Sequence, residues 1–490
     1  MKKPSDFALR LLGLFSGVAI VSAVTVFFLV DHSRRSLEAS RTALIARGER
    51  LTVEGLRPPL PSEDGNGASE LIKTAQELNR LIKEREIRRI TIGQATGKTP
   101  AVVAVFHQRP TAQVTTVRNS KVAVEEVSWD QAKAEQEIAA PLLERIQATA
   151  KSPRLEIQPD YALGLAMPLD SLSPLLGAAQ FLAQQSLLQI HDGKIGAAIE
   201  NVGTIFRLAG MVARQHSMSS QAVNLSMIRM AGNVTWEILQ AKEVTPANLS
   251  LLQGTWEKTE PTAFLKPALR MERAAARPLF DEGEEAIKAA SGSGSSSGSP
   301  SFDPGDLEGL ATTSAWSLFY RYDDEREYLE DYQAILDQVP EAGENWRPFL
   351  VTTREISNRL SHAGLSRMLS GTMAYVALTN MERFPLTMTV RKLCITAIAI
   401  RRYQLDHANA APSSLADLVP AYLSAVPLDP MDGKPLRYTT TGPGDYVLYS
   451  VGKDGVDDGG NAASPPSPSG KPTADFADRI DIVWPQAEKP

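Results

Sequence analysis

Leu172 to Ala209, LSPLLGAAQFLAQQSLLQIHDGKIGAAIENVGTIFRLA, sets the fold class. Leu172, Leu175, Leu176, Ala179, Leu182, Ala183 and Ile190 recur at the helical period, so this half reads as one amphipathic helix. His191-Asp192-Gly193-Lys194 is a turn, and Ile195, Ile199, Val202, Phe206 and Ala209 form the facing stripe of a returning helix. The product is an αα-hairpin. The same texture continues on both sides. Thr245-Pro246 offers an N-cap residue with proline at the first helical position. Trp316, Phe319 and Tyr320 give a later helix an aromatic face, and a last helix runs from Leu386 to Asp406. No fixed internal period links these units, so the chain reads as mainly α, either an irregular helical bundle or stacked helical hairpins.

The N-terminus carries a different signal. Leu11 to Val30 is a run of 20 residues without a charge, preceded by Lys2, Lys3 and Arg10. That length spans the hydrocarbon layer as a transmembrane helix. A cleavable signal peptide would be shorter, with its small residues at the end of the run. Here Ser22-Ala23-Val24 lies inside it and Phe27-Phe28-Leu29-Val30 continues past. An uncleaved anchor is the expectation, with a signal peptide or a buried core helix as alternatives. Arg34, Arg35 and Arg41 follow the run, so the positive charges on its two sides balance and give no orientation. The default for a single N-terminal anchor places the bulk of the chain outside the cytoplasm, on the periplasmic side of a bacterial inner membrane.

The organisation that follows is an anchor over 1–32, a helical stalk over 33–87, and a small β meander over 88–129. The meander rests on β-branched runs such as Arg89-Ile90-Thr91-Ile92, Val102 to Phe106, Gln113 to Val117 and Val122 to Val124. A helical domain covers 130–290. Ser291 to Pro300 opens a Ser/Gly-rich linker over 291–305, flexible by composition. A second helical segment spans 306–394 and a proline-punctuated α+β domain 395–490.

Composition excludes several functions. Of the 490 residues 43% are hydrophobic and 22% charged, which is globular, and the net charge of −6 leaves no basic domain for nucleic acid. The single Cys394 forbids an internal disulfide and reads as a small core residue. Gly93-Gln94-Ala95-Thr96-Gly97-Lys98-Thr99 has three residues between its glycines where a phosphate loop needs four, and Pro100 follows where a helix should start. Gly294-Ser295-Ser296-Ser297-Gly298 matches a nucleophile elbow only by letter. The six histidines show no metal-ligand spacing, and each reads as a turn or surface residue. The acidic run Asp323, Asp324, Glu325, Glu327, Glu330, Asp331 alternates with Arg321 and Arg326 and reads as a solvated helix face.

One constellation invites an ion. Val451-Gly452-Lys453-Asp454-Gly455-Val456-Asp457-Asp458-Gly459-Gly460 packs three carboxylates and four glycines into ten residues, which suits a hard cation but lacks the EF-hand spacing. A pair of Asp-Gly turns is the plain alternative. The helix ending at Asp406 is followed by Leu415 to Leu418, Pro427-Leu428-Asp429-Pro430, Asp432 to Tyr438 and Tyr446-Val447-Leu448-Tyr449-Ser450-Val451-Gly452-Lys453-Asp454-Gly455. In order and spacing this resembles the globular domain of the type II secretion major pseudopilin, over about a fifth of the chain. The resemblance implies an α+β domain and a structural calcium held by Asp454, by Asp481 before the closing strand, and by backbone carbonyls. Asp457 and Asp458 are the further candidates, and Asp478 stands one residue out of step with the family's other late acidic ligand. The segment Asn461 to Phe476 is an insertion in that loop. The N-terminal helix departs from the family, since Leu14 to Ala19 carries no glutamate after a processing site and some 360 residues separate anchor from domain.

The function expected is that of a non-enzymatic, membrane-anchored envelope protein presenting helical and pseudopilin-like modules to protein partners. Nucleic acid is not among those partners. A secretion or pilus-like component and an envelope hydrolase with a dispersed carboxylate site are the alternatives.

Overall fold

A computed structural model describes residues 6–90, 102–103, 105–118, 121–282, 314–341, 345–463 and 480–487. The phosphate-loop look-alike at 93–99, the Ser/Gly tract at 291–305 and Asp478 lie outside them.

The protein is mostly helical, as its periodicity implied. The apolar run and the start of the stalk are one 41-residue helix, α1 (Asp6–Ala46). Ile20, Val21, Val24, Phe27, Phe28 and Leu29 stand exposed on it, whereas Leu37, Leu44 and, just beyond the helix, Leu51 are buried. The spacing of seven is that of a coiled-coil seam. Short α2 (Val53–Leu56) is capped by Thr52, and α3 (Ala68–Glu84) buries Ala68, Leu71, Ala75 and Leu78 along one face. The strands β1 (Arg89–Ile90), β2 (Val102–Val103), β3 (Ala112–Arg118) and β4 (Lys121–Val127) follow. An antiparallel sheet forms in the order β1-β3-β4. The expected meander differs in one element: Phe106–Gln108 is a 3-10 turn, and β2 pairs in parallel with β8 (Gln486–Ala487) near the other end of the chain.

Helices α4 (Trp129–Glu137) and α5 (Ala140–Thr149) lead to the hairpin of α6 (Leu172–His191) and α7 (Ile195–Ala213). Gly193 makes its turn at φ +72°, a conformation a side chain would strain. Among the described residues α7 is long and apolar enough to cross a membrane, but most of it is buried between α6 and its later neighbours, so it is a core helix. Capping boxes start α8 (Met218–Gln240) at Ser217 and α9 (Pro246–Glu257) at Thr245. Then come α10 (Leu265–Glu282), α11 (Arg321–Gln338), α12 (Arg347–Ser361), α13 (Met368–Met381) and α14 (Arg383–Asp406).

Two large apolar clusters organise these helices. One gathers α3 and α5 to α9 around α14, and the other packs the end of α1 with α10 to α13. Helices α8 and α14 contribute to both, Met218 and Leu225 from α8 and Phe384 and Met388 from α14 joining the second. They cross closely at Gly232, where an added Cβ would lie 3.0 Å from Val390 Cγ1.

The C-terminal strands β5 (Arg437–Gly442), β6 (Asp445–Ser450) and β7 (Ile482–Val483) form an antiparallel sheet where the β-rich tail suggested. The expected boundary at 394/395 falls inside α14, which is buried on both sides of it. Leu415, Leu418, Leu448, Val451, Ile482 and Trp484 belong to the same apolar cluster as α6 to α9. Trp236 Nε1 on α8 donates to the Pro485 carbonyl (2.8 Å), and Gln253 Nε2 on α9 donates to the Tyr422 carbonyl (2.8 Å). The tail is therefore welded to the helical body. A helix apolar on several sides, as α14 is, needs covering by both.

The acidic run on α11 is corrected for three of its six residues, while Asp323, Glu327 and Glu330 keep the exposure of a solvated face. Asp324, Glu325 and Asp331 are 0%, 2% and 7% exposed, not a solvated face. Glu325 bonds Arg41 of α1 and lies 3.4 Å from Arg277 of α10. Asp331 meets Arg359 of α12 (2.5 Å) and Arg367 (2.6 Å). Asp324 Oδ2 accepts from Trp316 Nε1 (2.9 Å) and from the first-turn Leu369 N–H of α13 (3.1 Å), which caps that helix from a distance. The arginines come from segments distant in sequence, so spacing along α11 alone gave no sign of them.

Candidate functional site

The C-terminal loop is organised around an arginine. Asp429, in the Leu428-Asp429-Pro430 turn, is fully buried and takes the N–H groups of Met431 (2.9 Å) and Val451 (3.0 Å) and the Ser450 hydroxyl (2.7 Å). Its burial pushes the carboxyl up from the ordinary aspartate range, against those donors. Arg437 at the start of β5 faces Asp429 (3.2 Å), Asp432 (2.6 Å) and Asp457 (3.3 Å).

The four residues proposed from sequence as calcium ligands do not converge. Among the described residues no group of three or more His, Cys, Asp or Glu side chains is placed to hold a metal. Asp454 is exposed and accepts from the Val456 N–H (3.0 Å), an ordinary Asx turn. Asp457 accepts from the Gly459 N–H (3.1 Å) and the Tyr449 hydroxyl (2.9 Å); these donors and Arg437 hold its carboxyl below the usual range. Asp458 is exposed but close enough to Asp481 to repel it. Asp481 is fully buried: Oδ2 accepts from the N–H groups of Gly460 (2.8 Å) and Asn461 (2.9 Å), while Oδ1 has no hydrogen-bond partner among the described residues. Burial raises its carboxyl despite those donors. The sequence missed the organising role of Arg437, whose only signal was an arginine following an Asp-Gly turn into a strand.

A second feature escaped the sequence entirely. A cleft of about 1030 Å³ opens between the 150–156 segment, α7, α8, α9 and the 258–264 connection that follows α9. Gly196, Gly203 and Gly210, seven apart, floor it along α7. At Gly196 an added Cβ would meet nothing within 4 Å, and at Gly203 the nearest atoms lie at 3.9 Å. Arg154, Arg207, Arg214 and Lys258 line it, with Phe206 and Phe264. Arg214 lies over the Phe264 ring (5.6 Å), whereas Arg207 and Lys258 have no ion-pair partner among the described residues. Of the lining carboxylates, Glu200 bonds Lys151 (2.5 Å). The buried carboxyls pushed upward, among them Asp324, Glu325, Asp429 and Asp481, do not line this cleft.

Histidine needs one correction. His107 is buried, its Nδ1 2.6 Å from Glu237 Oε2 on α8, while Glu237 also accepts from the Phe106 N–H (3.0 Å). His191 Nδ1 reaches the His107 carbonyl (2.8 Å) and stacks on Trp129 (4.2 Å). This group clamps the 3-10 turn to the helical body. Cys394 is buried in the core as its apolar neighbours implied.

Comparison with known proteins identifies no relative: no family model, no curated protein and no solved structure matches the chain.

Proposed function

We propose that this is a non-enzymatic adaptor of the bacterial envelope, held in the inner membrane by α1, whose helical body receives an acidic peptide segment of a partner protein. The observation that carries the reading is the basic, glycine-floored cleft. Its volume lies at the top of the roughly 300–1,000 Å³ range of small-molecule pockets, and its floor lets a partner backbone approach α7 closely. Arg207 and Lys258 supply charge for carboxylates. The exposed apolar residues Ile20 to Leu29 support the anchor, with the rest of the chain on the periplasmic side.

In this reading the C-terminal sheet is a pseudopilin-like module reused as part of the body. For calcium, the donor chemistry fits at Asp481, whose buried Oδ1 lacks a partner, with Asp458 beside it. It does not fit at Asp457, which Arg437 and Tyr449 already engage. Asp454 would have to leave its Asx turn to join.

The test is a photo-crosslinking residue placed at Gly203 in the full chain in cells. A discrete adduct is expected, lost when Arg207 and Lys258 are both changed to glutamate, with none formed from the exposed Leu60. Labelling at Gly203 no stronger than at Leu60 would overturn the adaptor reading.

A further inference from the structure

Helices α1 and α11 run side by side in the same direction. Ser33 Oγ donates to Asp323 (2.7 Å), Ser40 Oγ to Glu330 (3.2 Å), and Arg47 Nη2 to Asp337 (2.9 Å). Each pair is 290 residues apart and successive pairs are seven apart, so the register is parallel and constant. Carried back toward the N-terminus, it brings Trp316 level with Val26 and Tyr320 level with Val30. Along the apolar run Val26 and Val30 are half-buried while Phe27, Phe28 and Leu29 are exposed, so the half-buried stripe Val26, Val30, Ser33 leads straight into buried Leu37.

The segment at that level is firmly placed. Trp316, in a helical turn over 314–319, is fully buried against Phe280, and its Nε1 bonds Asp324. The Tyr320 N–H donates to the Trp316 carbonyl (2.8 Å), and the Asp324 N–H donates to that of Tyr320 (2.8 Å). With Trp316 pinned inward, Leu318, Phe319 and Tyr320 are left 56%, 42% and 37% exposed. Arg321 follows, lying over the Tyr322 ring and bonding its hydroxyl (2.6 Å). On α1 the next turn carries exposed Arg34 and Arg35.

From this register we infer that Leu318, Phe319 and Tyr320 form a second membrane contact, dipping into the interface of the bilayer that α1 crosses. The inference rests on the reading of α1 as an anchor. Val26 to Val30 is the last part of the apolar run, so whatever lies beside it sits at the edge of the hydrocarbon layer. Aromatic side chains with a polar tip prefer that depth. Arg321, Arg34 and Arg35 then fall at the level of anionic headgroups. Two points of attachment, joined by the α1–α11 pair, would hold the body at a fixed tilt, whereas one helix alone leaves it free to swivel.

The test uses the full chain reconstituted in phosphatidylethanolamine–phosphatidylglycerol vesicles, with a polarity-sensitive fluorophore on a single introduced cysteine. Cys394 is fully buried and gives no background. Labels replace Phe28, Phe319 or Ile45, and lipids spin-labelled near the headgroup serve as quencher. Ile45 is exposed on α1 and lies 15 residues beyond Val30, about 22 Å farther along the helix. The Phe319→Cys label is expected to lose its emission to the quencher as completely as the Phe28→Cys label, at every protein-to-lipid ratio, while the Ile45→Cys label keeps its own. Quenching at 28 without quenching at 319 overturns the inference and leaves the anchor standing. An Ile45 label quenched as strongly as 319 also overturns it, because the whole body would then lie on the lipid. Shielding at 319 that grows with protein-to-lipid ratio would assign the patch to a second copy and overturn it too. Absence of quenching at 28 removes the anchor and this inference together.

Discussion

Changing Glu325 to alanine should loosen the lower half of α1 from the body without unfolding the core. Glu325 is 2% exposed and Arg41, its partner on α1, 16% exposed. Removing one member of a buried pair costs about 3–5 kcal/mol, because the other charge is left in low dielectric. Arg41 keeps Glu38 at 2.7 Å, a carboxylate that is 60% exposed, so the low end, about 3 kcal/mol, applies. Leu37, Leu44 and Leu51 still hold the helix, at roughly 1.5–3 kcal/mol each. The helix therefore stays docked on average but opens about 100-fold more often, since each 1.4 kcal/mol is a factor of ten. Once detached, a stretch as short as 33–46 is marginal as a helix in water, so its amides exchange on opening. Hydrogen exchange read by mass spectrometry on the full chain should show about 100-fold faster exchange over 33–46 and no change in α7. The double change Arg41→Met with Glu325→Gln should restore most of the protection, because Arg277, which also loses the Glu325 carboxylate, is 26% exposed and keeps the Leu51 carbonyl (3.2 Å). Unaltered exchange over 33–46 in Glu325→Ala would refute the claim that this pair clamps α1 to α11.

Three more outcomes follow from the same geometry. Burial raises the Glu49 carboxyl, but Arg270 (3.0 Å) and Arg273 (2.6 Å) outweigh it and leave it below its ordinary 4.5. Its contribution is therefore full above that value and lost as pH falls through the lower folded one, so between about pH 5 and pH 3 the denaturant midpoint of Glu49→Gln should fall less than that of the parent. Asp429→Ala leaves the buried N–H groups of Met431 and Val451 without an acceptor, while Arg437 keeps Asp432 and Asp457, and should lower stability by about 3 kcal/mol in urea titration, a loss near zero being the contrary result. Calcium at ~100 times its dissociation constant should stabilise the full chain by about 2.7 kcal/mol, read as a rise in melting temperature. That rise should vanish in Asp481→Asn and persist in Asp457→Asn, and a parent melting temperature equal in calcium and chelator would leave a plain Asp-Gly loop.

The helical class was legible because long amphipathic segments announce their period locally: the Leu172–Ala209 hairpin, the Thr245-Pro246 start and the end of the last helix at Asp406 all lie where the pattern places them. The C-terminal strands were legible for a similar reason, since proline and glycine bound them closely. What escaped was pairing at long range. The acidic run on α11 resembled a wet helix face because its neutralising partners, Arg41, Arg277, Arg359 and Arg367, are scattered over more than three hundred positions. Val102–Val103 looked like a rung of its own hairpin and instead joined a strand near the C-terminus. In the C-terminal loop the clustering of carboxylates was legible, but not that Asp454, Asp457 and Asp481 would each take different donors. Glycines seven apart on α7 carry no signal of their own in the sequence, and only the packing of α8, α9 and the 258–264 connection beside them makes a cleft.

We propose that α1 anchors the chain and that the body lies outside the cytoplasm. The most direct test is protease treatment of intact spheroplasts carrying the full chain with a C-terminal epitope, together with alkaline carbonate extraction and N-terminal sequencing. The expected result is a protein that stays in the carbonate pellet, keeps residues 1–30 and loses its epitope to external protease. An epitope protected until the membrane is lysed, release by carbonate, or a mature N-terminus beyond residue 23 would contradict it.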